Sequence, residues 1–243
     1  MTRRLLEIAA NSLPSALAAQ EGGADRIELC ENLGDGGCTP SYGTIALARE
    51  RLRIPLYVLI RPRAGDFLYD ALEREVMLRD IESCVRLGCD GVVIGALADD
   101  GSVDTAVCGE LISAAGALGI TFHRAFDVAR DQVQALEAVI ALGCERVLTS
   151  GAQSTAPEGA DTIAALVRQA DQRIRVMAGA GISEDNLAEL VTRSGADEFH
   201  ASAKVLLDSR MRHVSLGIVG LDARWLQSDA DRVRVLRAEL DAA

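Results

Sequence analysis

A short phrase that recurs four times constrains this chain more than any other feature. It reads Gly23-Ala24-Asp25-Arg26-Ile27, Gly88-Cys89-Asp90-Gly91-Val92, Gly143-Cys144-Glu145-Arg146-Val147 and Gly195-Ala196-Asp197-Glu198-Phe199. In each copy a glycine closes a helix-like segment, a small residue and an acid follow, and an apolar run begins, the grammar of a helix-to-strand loop. The copies start 65, 55 and 52 residues apart, at 23, 88, 143 and 195. A strand-loop-helix unit of a parallel α/β barrel takes about 30 residues in a fold of about 250, so each interval holds two units and the phrase marks alternate strands.

The intervening strands are expected at 5–9, 56–61, 120–123 and 174–178, with helical patterns over 72–87, 106–118, 132–142, 162–170 and 184–192. Eight strands in strict alternation with helices predict an α/β fold, a (β/α)8 TIM barrel over residues 1–204. Residues 205–243 are expected as a short C-terminal extension packed on the barrel, carrying no chemistry; His213 within it reads as a surface residue. A doubly wound open sheet would usually bring G-x-G-x-x-G into the first loop, and that motif is absent.

Charge narrows the partners. With 25 Lys+Arg against 36 Asp+Glu, a net charge of -11 and no basic run, the chain lacks the footprint of a nucleic-acid or anionic-membrane binder. No apolar stretch approaches the roughly 20 residues that span a bilayer. Arg3-Arg4 and Leu5-Leu6 imitate an export signal, but Glu7 and Asn11 interrupt its apolar region, so a cytoplasmic protein is expected. The six cysteines contain no C-x-x-C and read as reduced thiols rather than a disulfide framework.

Barrel strands alternate between helix-facing and interior-facing residues, and function sits at their C-terminal ends. Turning Leu6, Ile8, Ile27, Leu29, Val58 and Ile60 toward the helices points Glu7, Glu28, Cys30 and Arg61 inward. Aligning the four phrases places His200 in the column of Glu28, and Gly95, Ser150 and Ser202 in the column of Cys30. Small side chains above a charged layer leave a cavity. Strand 8 closes onto strand 1, so His200, Glu7, Glu28 and Arg61 cluster on consecutive strands, while strand 5 ends in His123-Arg124-Ala125-Phe126-Asp127 across from them. Paired carboxylates beside an Arg and a His can hold one group protonated and another ionised, the condition for general acid/base work. Glu7, Glu28, Arg61, His123, Asp127 and His200 are therefore the catalytic candidates; the alternative is an internal salt-bridge network.

Anion contacts are expected from Arg63 and Arg124, from Ser150 and Gly151 after strand 6, from Gly179 and Gly181 after strand 7, and from Ser202 after strand 8. Barrel enzymes often bind phosphate through backbone N–H groups of the last two loops, where glycine permits close approach. No zinc spacing of Cys and His occurs. Soft thiolates favour Cu(I), and Cys30 and Cys38 are the only metal candidates near the mouth; Cys84, Cys89, Cys108 and Cys144 read as buried small hydrophobes.

Several of these phrases together resemble the CutC family of copper homeostasis proteins: Gly22 to Cys30, Gly36-Gly37-Cys38-Thr39-Pro40-Ser41, Ile60-Arg61-Pro62-Arg63, Gly65-Asp66-Phe67, Thr121 to Asp127, Leu148-Thr149-Ser150-Gly151 and Glu198-Phe199-His200. The resemblance runs in order from the first strand to about Lys204. It implies a cytoplasmic TIM barrel that forms homo-oligomers and a role in Cu(I) binding. The chain departs from the family pattern where members carry cysteine: Ala9 and Ala201 stand there, leaving Cys30 to pair with Cys38 or a second subunit. The second expectation, carried by the strand-end residues, is an enzyme acting on a small phosphorylated or carboxylated metabolite.

Overall fold

The computed structural model describes residues 3–214, 218 and 221–243. Strands β1 (Leu5–Ala10), β2 (Arg26–Leu29), β3 (Leu56–Leu59), β4 (Gly91–Ile94), β5 (Gly119–Phe122), β6 (Arg146–Thr149), β7 (Arg175–Gly179) and β8 (Glu198–Ala201) pair in parallel and close into a barrel in sequence order. Between them run α1 (Leu13–Glu21), α2 (Tyr42–Arg51), α3 (Ala71–Leu87), α4 (Thr105–Ala115), α5 (Gln132–Ala141), α6 (Ala160–Ala170) and α7 (Leu187–Ser194). An antiparallel pair, β9 (Lys204–Leu207) and β10 (Trp225–Ser228), and helix α8 (Ala230–Ala242) complete the chain. Among the described residues, no helix is long and apolar enough to cross a membrane.

The recurring phrase has a physical role at each end. Gly88 and Gly195 take the left-handed conformation that ends α3 and α7, at φ 71° and 64°. The acid then reaches the neighbouring strand: Asp25 accepts the Leu6 N–H and Asp90 the Leu56 N–H, each at 2.8 Å. Each acid thus satisfies a strand-entry donor, which sets where the next strand starts.

Alternation splits the core in two. Leu6, Ile8, Ile27, Leu29, Val58 and Phe199 are fully buried between strands and helices. A separate cluster of Cys30, Tyr57, Leu59 and Val93 fills part of the barrel interior. Below it lies an ionic layer at the strand starts. Arg26 bonds Glu7 and, at 2.7 Å, Glu198; Arg146 bonds Glu198, Thr121 and Glu145, each at 3.0 Å. Tyr57 lies across this layer, its hydroxyl donating to Glu145 at 2.7 Å and its ring 5.2 Å and 5.0 Å from the Arg26 and Arg146 guanidiniums. Only glycine leaves room for that ring: a Cβ on Gly91 or Gly119 would sit 2.1 Å from Tyr57 atoms.

Three local differences from the sequence reading stand out. The β3 ladder stops at Leu59, because the Arg61 N–H turns away to the Thr39 hydroxyl at 2.8 Å. Helix α7 begins at Leu187 rather than 184, because Asn186 accepts the Ser183 N–H and closes a turn before it. The segment 205–243 is more than an appendage: α8 packs against α7, α1 and β1, filling the eighth place in the ring of helices. Arg237 fastens it there, donating to Asp25 at 2.7 Å and to the Arg4 carbonyl at 3.0 Å.

Candidate functional site

The C-terminal strand ends and their loops enclose a cavity of about 700 Å³. Of the catalytic candidates, Glu28, Arg61, His123, Asp127 and His200 line it, and Glu7 lies beneath, fully buried. Ala9 and Ala201 contribute small side chains to the same wall.

The register places β8, β1 and β2 side by side, with Glu7 opposite His200. His200 Nδ1 lies 2.7 Å from Glu7 Oε1 and 3.5 Å from Glu28 Oε2. Glu7 is held on its other oxygen by Arg26. Burial alone would raise the Glu7 pKa, but the Arg26 guanidinium and the His200 hydrogen bond hold it well below the carboxylate range. Glu28 is pushed up to about 7 by burial and the neighbouring Glu7 charge, against the pull of His200. Burial opposes charge on His200, yet the two carboxylates outweigh it and raise its pKa. Glu28 Oε2 is buried without a hydrogen bond.

Across the cavity, His123 Nδ1 accepts the Ala125 N–H at 3.1 Å, so the neutral ring carries its proton on Nε2. That Nε2 is buried with no partner. Burial and the charge of Arg61 lower the His123 pKa to about 3. Phe67 packs 5.0 Å from the His123 ring and 5.0 Å from the Arg61 guanidinium. A Cβ at Gly95 would come within 2.5 Å of the imidazole, so glycine there admits the ring.

Other expected residues have different duties. Arg61, a catalytic candidate, donates to the carbonyls of Asp35, Gly37 and Gly65 at 2.8–2.9 Å and ties two loops together, leaving Nε without a partner. Asp127 accepts from Thr149, Ser150, Ala152 and Arg124, so its oxygens are occupied in joining the β5 and β6 loops. Arg124, Gly181 and Ser202 line the cavity; Arg63, Ser150, Gly151 and Gly179 do not. Arg63 turns outward to Glu73, Asp66 and the Leu68 carbonyl. Gly151 is pressed against the Gly159 carbonyl, and Gly179 makes room for Leu148 and His200.

The rim holds features that sequence reasoning missed. Arg232 and Leu236 line the cavity, so the segment 205–243, read as devoid of chemistry, supplies part of the site, and Lys204 just before it lines the cavity too; Glu184 holds Arg232 at 2.8 Å. Lys204 lies two residues beyond Ser202 at the end of strand 8, whereas Arg232 is brought in by helix packing alone. Ala180 and Ala203 adopt positive φ of 81° and 46°. Among the described residues, the N–H groups of Ala180, Gly181, Ile182, Ser202 and Ala203 donate no hydrogen bond within the protein.

Among the described residues, Glu7, Glu28 and His200 form the single cluster of three side chains able to surround a cation. Glu7 is already engaged on both oxygens. Cu(I) prefers thiolates, and the thiols fit it poorly: neither Cys30 nor Cys38 lines the cavity, and burial together with the Glu28 charge pushes the Cys30 thiol far up. All six cysteines are free.

Residues 4–205 match the model of the CutC family. The CutC protein of Xanthomonas axonopodis pv. citri is 59% identical over 229 residues, 94% of this chain and 95% of the relative. That of Chromobacterium violaceum is 54% identical over 245 residues, 99% of each chain. The crystal structure of a Streptococcus agalactiae protein named for copper homeostasis, CutC, superposes with a TM-score of 0.79 at 35% identity, covering 82% of this chain and 98% of that one.

Proposed function

The chain belongs to the CutC family, and from that premise we propose that it is an enzyme acting on a small phosphorylated or carboxylated metabolite held at the barrel mouth. The carrying observation is one cavity with two unlike poles. At one pole, buried Glu28 Oε2 and His123 Nε2 lack partners. At the other, Lys204 follows the unbonded N–H groups of the β8 loop, beside the β7 loop with its own unbonded N–H groups, and Arg124 lines the same cavity. An anionic group suits the second pole, since N–H groups of these loops and a nearby cation favour negative charge. The first pole then faces the uncharged end of the ligand. Glu7 orients His200 through Nδ1, as a carboxylate orients the imidazole of a catalytic pair, and Glu28 supplies a second group able to exchange a proton near neutrality.

Titration with inorganic phosphate, followed by calorimetry, tests the anionic pole. Saturable binding of one equivalent, weakened at least tenfold when Lys204 and Arg124 are both replaced by alanine, is the expected result. Absence of saturable binding, or binding indifferent to that double change, would sink the reading.

A second reading is Cu(I) held by Cys30 and Cys38. It draws on the antiparallel bridge between Glu31 and Cys38, which folds Cys38 back beside the end of β2. A Cu(I) competition titration on wild type and Cys30→Ser decides it: stoichiometric binding lost in the variant supports copper, and equal binding in both removes it. A reducing cytoplasm suits six free thiols and belongs to either reading.

A further inference from the structure

Three buried atoms without partners belong to cavity-lining residues: two are donors, His123 Nε2–H and Arg61 Nε–H, and one is an acceptor, Glu28 Oε2. Buried polar groups are almost always paired, so three orphans on residues lining one cavity require an account. The donors come from the ends of β5 and β3 and pack against the same Phe67 ring, which shields both from solvent. Glu28, on β2, stands three strands from His123 in an eight-stranded barrel and so faces it across the opening.

The tautomer settles what His123 can offer. Its Nδ1 lone pair is taken by the Ala125 N–H, so the ring presents a donor and cannot act there as a base. A histidine that merely filled the core would be expected to pair both nitrogens; this one pairs Nδ1 with the backbone and leaves Nε2 without a protein partner. The nearby Arg61 charge makes the environment favourable to an oxygen that gains negative charge. An acceptor alone stands opposite.

Resting on the cavity reading above, we infer that His123 Nε2–H and Arg61 Nε–H form an oxyanion-stabilising pair for a carbonyl oxygen. The ligand is then a phosphorylated or carboxylated aldehyde or ketone, and Glu28 accepts a proton from the carbon beside that carbonyl. In this step the C–H bond breaks, its electron pair forms a C=C bond, the carbonyl becomes an enolate oxygen hydrogen-bonded to His123 and Arg61, and the proton resides on Glu28 Oε2. Return of the proton to the same carbon restores the carbonyl and completes a hydrogen exchange, with no oxidant, reductant or co-reactant.

The probe is 2-phosphoglycolate, whose carboxylate imitates the enolate and whose phosphate occupies the anionic pole. Calorimetry on the full chain is expected to show it binding wild type at least tenfold more tightly than inorganic phosphate. His123→Leu should bind the two alike, and His123→Gln, which keeps a side-chain N–H, should recover part of the preference. Wild type without the preference, or His123→Leu with it, overturns the inference; loss of phosphate binding in wild type strikes the cavity reading instead. Should His123→Leu fail to fold, nitrogen NMR of wild type decides: a neutral ring protonated at Nε2 between pH 5 and 8 supports the donor role, and a charged ring or the other tautomer ends it.

Discussion

The lower and upper halves of the barrel interior are built from the same kinds of side chain and differ in one respect. In the lower half, Arg26, Arg146, Glu198, Thr121 and Tyr57 satisfy one another, and none leaves a buried polar atom unpaired. In the upper half, Glu28, His123 and Arg61 each leave one. Burying charge is costly, and a closed network answers that cost within the protein. The upper half leaves part of it unanswered within the protein. A charged barrel interior by itself therefore says little about chemistry; the location of unpaired atoms separates scaffold from site.

Breaking the lower network gives the largest expected effect. Arg26→Met takes from Glu7 and Glu198 the guanidinium they share, leaving them only His200 and Arg146, and loss of one partner from a buried pair costs about 3–5 kcal/mol. Chemical denaturation measures it; a loss under about 1 kcal/mol would erase the distinction drawn here.

The upper half is sharpened by pH. His123 has a folded pKa of about 3 against an ordinary 6.5, so its contribution is present above pH 6.5 and is lost as pH falls toward 3. Wild type should lose roughly 2 kcal/mol between pH 6.5 and 5 from this group, and His123→Gln should lack that slope. Glu28 behaves oppositely. Its pKa rises from 4.5 to about 7, so its contribution is present below pH 4.5 and is lost as pH rises through 7, a slope of similar size that Glu28→Gln should lack. Denaturation curves across pH 4.5 to 7.5 for the three proteins show whether the two variants bend in opposite directions; parallel curves would contradict the assignment.

The smallest effect belongs outside both halves. Arg63 pairs with Glu73 and Asp66 at the surface, so Arg63→Ala should change stability by less than about 1 kcal/mol. Phosphate affinity should not move, and a tenfold fall would return Arg63 to the site.

Much of this organisation is legible in the chain, and the failures share a cause. The phrase locates β2, β4, β6 and β8, and alternation along β1, β2 and β8 turns Glu7, Glu28 and His200 inward without knowledge of any contact. The same alignment holds a further column, Arg26, Gly91, Arg146 and Glu198, two positions before the Glu28 column; read by parity, it marks the lower layer that was overlooked. Arg61 and Asp127 face the expected way, but Arg61 is held by loop carbonyls and Asp127 in part by loop N–H groups, which leave no trace in residue type. Arg232 and Leu236 reach the cavity because α8 docks between α7 and α1, a long-range event with no copy of the phrase to announce it.

Tyr57 lies across the barrel near the strand starts, in space that Gly91 and Gly119 leave open, and it makes the molecule a cup rather than a tube. Traffic therefore uses one doorway. Under the proposed enzymatic function, a product must vacate the mouth before the next substrate can descend, so product and substrate should exclude each other and inhibition by product should be competitive.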